Sequence, residues 1–576
     1  MLQTGRKAPH TFAPHTRPLT YDESTLLDVP TPPTGRDVAA ASETVIGTVE
    51  KPGNSADEFQ FIVPNDIDVR TGGFMLYETV VEGEQRDVLA RVTNTEQERG
   101  LPGDFLADPD VEPDEIAGAL GVPSGDIEID RVTARTVGYF DEDLETFTNP
   151  RSLPDPGSRV YLADDEFLEA VLPNADWQSD SGLAHVGWLL NRPPGDTNVL
   201  LPIDEFSSTH LAILASTGSG KSYTASVVIE EMMRPQLRAA MLVFDPHGEY
   251  DTLPDMRNDE HASVFSDGNY TPEVNIIQPD EINIAIPDLN YGDLLALLDG
   301  PSDRMKYVLH NAWRNLQEES NDISVHDIVT ECYNVDGQDS DTASALEWRL
   351  QRALGRDLFV RAAREELTDL VAPGQVTVLK LNRLSEEDQQ MLAAALLRKL
   401  YEAHERAMRG DDDRLDFPLF TLLEEGHRFA PDGNARFLGI LRSILSEGRK
   451  FGFGVGIISQ RPSKLDADVL SQCGTQVIMQ IQNPNDQQAI RQSVESAGED
   501  VLDELPGLTP GQAVIAGDAM NTPVLARIRK RHTRHGAESL AATQEWRESW
   551  DKYKKEQERG VTDAYDGDEE VDDTPL

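Results

Sequence analysis

Cysteine is almost missing from the 576-residue chain. Cys332 and Cys473 are its only two, too few for a disulfide framework or a cysteine-based metal cluster, so redox and zinc chemistry of that kind are excluded. Lysine is scarce as well, with 12 residues, and Lys and Arg together make 51 against 103 Asp and Glu. A formal charge of −52 excludes a broad basic face for nucleic acid. Long apolar runs are absent too. No stretch approaches the roughly 18 residues that span a bilayer, and the opening MLQTGRKAPHTFAPH has no apolar signal core, so a cytoplasmic protein with no membrane partner is expected.

Carboxylate is what the chain has in excess, spread from end to end rather than gathered in a tail. With lysine so rare, this pattern suits molar salt, where charges are screened beyond about 3 Å and a hydrated acidic surface keeps a protein dissolved. A salt-loving source is the expectation. In such salt the negative charge does not exclude a DNA partner, because long-range repulsion is largely screened.

The length predicts two to four folded units. Residues 1–40, rich in Pro, Thr and charge without apolar period, read as a flexible arm. Over 41–178, TVIGTVEK, FQFIVPN, FMLYETVV, RDVLARVTN, IEIDRVTARTVGYF and RVYLADDEFLEAVL are short, β-branched and separated by turn residues. They predict a small antiparallel barrel or sandwich, with an excursion around 101–126. Over 179–534, the runs THLAILAS, AAMLVFD, QVTVLKLN, FPLFTLLEE, FGVGIISQ, TQVIMQIQ and QAVIAGD alternate with helix-period segments, as in a parallel sheet covered on both faces. Within this core, 291–365 carries several helical segments and reads as an insertion. The Ser385–Asp388 segment resembles a capping box ahead of QQMLAAALLRKLYEAHERAMR. Residues 535–576 are a charged extension, a helix-like stretch followed by the acidic end VTDAYDGDEEVDDTPL, and that tail is expected to be disordered.

One loop carries the strongest chemistry. Ala215 is followed by Ser216, Thr217, Gly218, Ser219, Gly220, Lys221 and Ser222, with an apolar run before and the helical run from Tyr223 after, and Ser216 to Tyr223 are the candidate nucleotide-binding residues. In that setting the backbone N–H groups of the turn and helix converge on phosphates, Lys221 reaches the β- and γ-phosphates, and the Ser222 hydroxyl ligates Mg2+. ATP and Mg2+ are the expected cofactors. Ala215 stands where the strict motif has glycine. A carboxylate pair at the end of a neighbouring strand, Glu424 and Glu425, supplies a metal partner and a base for the attacking water. Read alone, the pair could simply open an exposed helix. Gln460 follows another apolar run, where an amide could sense the γ-phosphate without adding charge; by itself it could be loop polarity. Arg449 could neutralise transition-state charge in an adjacent subunit, or be a helix-end cation.

With these motifs in order, the chain resembles the HerA-type hexameric DNA translocases of archaea, in the FtsK/HerA group of RecA-like ATPases. The residues that carry the resemblance are STGSGKS at 216–222, DPHGEY at 245–250, EEGHRF at 424–429, EGRKFG at 447–452 and SQRP at 459–462. Gly426 departs from the alanine usual in that family. The resemblance implies an α/β fold: a RecA-like P-loop ATPase core with a helical insertion, preceded by a β-barrel similar to that of rotary ATP synthase subunits. It implies a homohexamer with ATP at subunit interfaces, Arg449 acting in trans, double-stranded DNA in the channel, and a NurA-type nuclease partner in end resection for recombination. It also suggests that Asp245, His247, Glu249 and Arg461 lie near the nucleotide or the interface; a polar strand-end turn is an equal reading of DPHGEY. DNA contacts are expected in short loops such as 431–436, with Arg436 as a candidate. Two other readings stay open: a conjugation- or secretion-type transport ATPase, and a nucleotide-binding ring scaffold without turnover.

Overall fold

Seven strands build the first sheet: β1 (Val45–Pro52), β2 (Glu58–Pro64), β3 (Phe74–Val81), β4 (Glu84–Arg99), β5 (Glu128–Asp141), β6 (Thr146–Thr148) and β7 (Arg159–Leu162). The computed structural model describes residues 44–535 except 54–56, 65–66, 82, 100–127, 142–145, 175–181, 299, 320–321, 336–339, 363–365, 411–414, 432–434 and 495–497, together with 543 and 546–554. The expected arm, the excursion at 101–126 and most of the acidic extension therefore lie outside the described residues.

The strands pair antiparallel in the order β2-β1-β7-β3-β4-β5, and β5 pairs back onto β2, so the sheet closes on itself. Closure leaves no open edge among these six strands, which decides between barrel and sandwich. Alternation fills the interior: Phe59, Phe61 and Val63 of β2 point inward with Tyr77, Val88, Val132 and Val160. The segment RVYLADDEFLEAVL is a strand only to Leu162. Asp164 accepts the Glu166 N–H at 2.9 Å and starts a helix over Asp165–Val171, so the expected strand is half helix.

The second architecture is an eleven-stranded sheet. Its members in chain order are β8 (Leu183–Leu189), β9 (Asn198–Pro202), β10 (Leu211–Leu214), β11 (Ala240–Asp245) and β12 (Glu273–Ile277). A separate two-residue pair, β13 (Ile284–Ala285) with β14 (Phe359–Val360), follows. The sheet continues with β15 (Gln375–Lys380), β16 (Leu419–Leu423), β17 (Phe453–Ser459), β18 (Thr475–Met479), β19 (Gln512–Gly517) and β20 (Val524–Ile528). The spatial order is β12-β15-β11-β16-β17-β10-β18-β19-β20-β8-β9. From β12 to β18 neighbours are parallel; from β18 to β9 they are antiparallel. The sheet is thus mixed, and the wholly parallel sheet expected from the alternation covers only its first part. β10, β11, β16 and β17 are buried along their whole length, as central strands covered on both faces must be.

The helices at 291–365 do not stand apart. Leu309, Trp313, Ile328, Leu346 and Leu350 join one continuous apolar cluster with Leu397 and Leu400 of the long helix Glu386–Met408. Arg398 to Asp293 and Lys399 to Asp288, each 2.8 Å, tie the same surfaces. The helix Val325–Asn334 among them was not anticipated. Ser385 caps the long helix by accepting the Asp388 N–H at 3.2 Å, while the short Asp388 side chain bonds the Ser385 hydroxyl instead of its backbone. Residues 546–554 are helical and belong to a unit of their own.

Candidate nucleotide site

The phosphate loop leaves β10, which lies between the parallel strands β17 and β18. Ala215 donates its N–H to the Ser459 carbonyl at 3.1 Å and Ser216 to Gln480 at 2.9 Å, which extends the strand pairing into the turn. Gly218 at φ 82° and Gly220 at φ 104° then take the left-handed backbone that a side chain resists. Ala215 is not among the positive-φ residues, so its methyl meets no left-handed backbone strain at the position where the motif has glycine. The helix Lys221–Met232 follows, and its free N–H groups face the loop.

Lys221 is buried among carboxylates. Its Nζ forms a short contact with Glu424 and lies 3.3 Å from Glu425 Oε1 and 3.5 Å from Glu249 Oε2. Burial works against its charge, but Glu424 and Glu249 outweigh it and raise its pKa. Glu424 is wholly buried; burial pushes its carboxyl up to about 7 although Lys221 pulls the other way. The Ser222 hydroxyl donates to Glu249. Ser222, Glu249 and Glu424 thus bring only oxygen donors to the lysine's side of the loop, which fits Mg2+ shared between protein carboxylate and phosphate.

Glu425 is 3% exposed and sits at φ 55°, ψ 47°. It does not open an exposed helix: the two carboxylates end β16 inside the protein. Its Oε1 accepts from the Gln460 amide, and Gln460 in turn accepts from the Thr217 hydroxyl at 2.5 Å. The amide therefore spans the phosphate loop and the carboxylate. His247 Nε2 is 3.9 Å from Glu425 and 3.3 Å from the Arg428 guanidinium.

Asp245 folds its own turn. Fully buried, it accepts the N–H groups of His247, Gly248 and Tyr250 at 3.2, 2.7 and 3.3 Å, and burial raises its pKa despite these bonds. The DPHGEY string is thus both a closed turn and a neighbour of the lysine through Glu249. Tyr223 is engaged elsewhere: its hydroxyl accepts the Arg531 N–H at 2.9 Å. Arg461 is exposed and borders an open cleft with Ser216, Thr217 and Lys464.

Arg449 is not brought to this cluster. It stands on the turn Gly448–Phe451 before β17, while Gln460 follows the same strand's other end. Seven residues at about 3.3 Å each separate the two ends by roughly 20 Å. The guanidinium is exposed and has no ion-pair or hydrogen-bond partner among the described residues. For Arg436 only the backbone is described, in the first turn of the helix Ala435–Glu447; its side chain and loop residues 432–434 lie outside the described residues.

Two participants escaped sequence reasoning. Tyr250 is wholly buried and donates its hydroxyl to Glu424 Oε2 at 2.6 Å, which with burial holds its pKa well above the usual value. His427 Nδ1 lies 3.3 Å from Glu425 Oε2 and from Ser459 Oγ. Their signal was their place inside DPHGEY and EEGHRF, not their residue type.

A phosphate loop at the end of a buried parallel strand, with a buried carboxylate pair at the end of β16, which is not the neighbouring strand expected but one strand removed across β17, defines a P-loop NTPase fold of the RecA-like kind. Two successive family models match, described as "Helicase HerA, central domain" over 184–400 and "Helicase HerA-like C-terminal" over 365–543. The chain belongs to the HerA family. It is 29% identical over 425 residues to the DNA double-strand break repair helicase HerA of Pyrococcus furiosus, covering 65% of this chain and 73% of that one. It is 25% identical over 540 residues to a probable helicase of Methanocaldococcus jannaschii, covering 85% and 96%. Resemblance to solved structures is looser: VirB4 of Thermoanaerobacter pseudethanolicus, at 16% identity, aligns with 62% of this chain and 98% of its own at a TM-score of 0.46. Among the described residues no helix is long and apolar enough to cross a membrane.

Proposed function

We infer that the protein is an ATPase that moves along double-stranded DNA as a homohexameric ring and works beside a NurA-type nuclease in resecting DNA ends for recombinational repair. The observation that carries this reading is the convergence of Lys221, Glu425 and Gln460 from three separate motifs on one loop, while Arg449, without a side-chain partner among the described residues, stands at the other end of the sheet. Relatives named as double-strand break repair helicases support the DNA substrate.

The chemistry follows from the side chains. Lys221 lies among carboxylates; a triphosphate, more highly charged, takes the ammonium, with the loop N–H groups, as its cradle. Bound Mg2+, held by Ser222 and Glu424, would neutralise charge on the β- and γ-phosphates. Glu425 accepts the proton of the water that attacks the γ-phosphorus. The Gln460 amide orients that water and the phosphate without adding charge, and Thr217 fixes the amide. An Arg449 from the neighbouring subunit balances the charge that develops on the transferred phosphoryl group.

A ring also fits the acidic surface. Molar salt removes most of the affinity that counterion release gives an open basic groove, whereas a closed ring retains DNA with few phosphate contacts. We assign 41–178 to ring assembly, 179–534 to nucleotide turnover, and the loop at 431–436 with Arg436 to DNA contact. The test is ATP-dependent displacement of a third strand from linear duplex DNA in molar KCl. Displacement that needs Lys221 and Arg449 supports translocation; steady ATP turnover with no displacement on any DNA points to a transport ATPase instead.

A further inference from the structure

Four non-glycine residues have positive φ among the described residues: Arg151, His210, Arg238 and Glu425. Glu425 belongs to the site above. His210 has no role there, yet its backbone is the more unusual, at φ 69° and ψ 154°. That region is essentially reserved for glycine, and a side chain persists in it only where its surroundings over-determine it.

The surroundings do so through the ring. His210 is 2% exposed, immediately before β10 and the phosphate loop. Its Nδ1 accepts the Val455 N–H of β17 at 3.1 Å, which leaves the proton on Nε2, and Nε2 donates to the Leu445 carbonyl at 2.9 Å. Burial lowers its pKa to about 4, so the ring stays neutral and this tautomer persists. Leu445 lies in the last turn of the helix Ala435–Glu447, where carbonyls lack helical partners. The histidine satisfies one of them from outside, and the helix gives way to the turn that bears Arg449. That turn is pinned on both sides. A Cβ on Gly448 would lie 2.6 Å from the Phe453 carbonyl oxygen, and Gly452 is left-handed at φ 67°. His210 and Arg449 border the same cleft at this end of the sheet, remote from Lys221.

We propose that His210 is a positioning residue for Arg449: its ring clamps the end of the arginine-bearing helix to the foot of the phosphate-loop strand and so presents the guanidinium to the nucleotide of a neighbouring subunit. The inference rests on Arg449 acting in trans. It assigns His210 to the neighbour's site, although in sequence it belongs to its own phosphate loop.

Complementation between inactive subunits separates the two. In a head-to-tail ring each site takes Lys221 from one subunit and Arg449 from the next. His210→Asn alone lowers ATP turnover at least tenfold while ATP binding stays within about twofold of wild type, because an arginine supplied in trans acts on turnover. His210→Gln, whose amide can still reach the Leu445 carbonyl, retains more activity. Mixed 1:1 with Lys221→Ala, His210→Asn subunits regain about a quarter of wild-type turnover, since random mixing leaves about one interface in four with both residues intact. Arg449→Ala mixed with Lys221→Ala is the reference. If this reference pair stays dead, the trans role of Arg449 is wrong. If it complements while His210→Asn with Lys221→Ala does not, the histidine serves its own site or the fold, and the proposal falls. Where His210→Asn does not assemble, His210→Gln carries the same cross.

Discussion

Glu425 combines a buried carboxylate with a left-handed backbone, a conformation that disfavours an L side chain by about 1–2 kcal/mol. Residues kept under such strain are kept for what they do. Glu425→Gln should bind ATP normally and lose turnover by a factor of about 10² or more, the span of a general base; steady-state hydrolysis beside nucleotide binding reads both. Glu425→Gly should lose turnover equally yet unfold at higher temperature, by about 1 kcal/mol of relieved strain, and a lowered midpoint would refute the strain argument. The next residue makes the converse point. A Cβ on Gly426 would lie 2.4 Å from Ile457 Cγ2, so an alanine here requires the Ile457 side chain or β17 to shift. Gly426→Ala is expected to destabilise by about 1–3 kcal/mol in denaturant melts, and Ile457→Ala should reduce that cost in the double variant.

Among the elements, β20 and the helix Lys221–Met232 are joined by a buried ionic network. Arg529 contacts Glu230 at 3.1 Å and Glu231 at 2.7 Å, and Thr533 donates its N–H to Glu230 at 2.9 Å. Removing Arg529 takes away the cation that the two carboxylates share and leaves Glu231 with Arg234 at 2.8 Å and Glu230 with Arg531 at 3.8 Å, so Arg529→Ala should cost about 3 kcal/mol; Glu230→Gln and Glu231→Gln added to it should recover part of the loss. Nothing in the sequence announced this network, because its partners are some 300 positions apart and look like ordinary surface charge. The strands β10, β11 and β15 to β19 were legible, since continuous apolar runs of that length have few other uses. The antiparallel strands β8, β9 and β20 were not. They are joined without the alternation of strand and helix that revealed the rest, and β8 mixes His185 and Trp188 into its run. Within the site, the loop, the carboxylate pair and Gln460 were legible as motifs. The link from Thr217 through Gln460 to Glu425 was not, because it depends on the packing of β17 against β10 and β16.

At the scale of the molecule, burial holds several histidines neutral: His185 falls to about 3 and His210 to about 4. In the unfolded chain both take a proton near 6.5, so below that pH the unfolded state binds more protons and stability falls until the folded pKa is reached. The contribution is complete above pH 6.5; it is about 3 kcal/mol for His210, lost by about pH 4, and larger for His185, lost by about pH 3. In molar KCl, with surface charge screened, the thermal midpoint of His185→Gln should fall less steeply across that window than that of the wild type; parallel slopes would contradict the account. With a formal charge of −52, the chain is proposed to encircle DNA rather than to hold it on a broad basic face. The most direct test is ATP turnover in molar KCl with and without linear duplex DNA, for the wild type and Glu425→Gln. The account predicts hydrolysis stimulated by DNA and abolished by the substitution while ATP still binds; turnover indifferent to DNA, or surviving in Glu425→Gln, would contradict it.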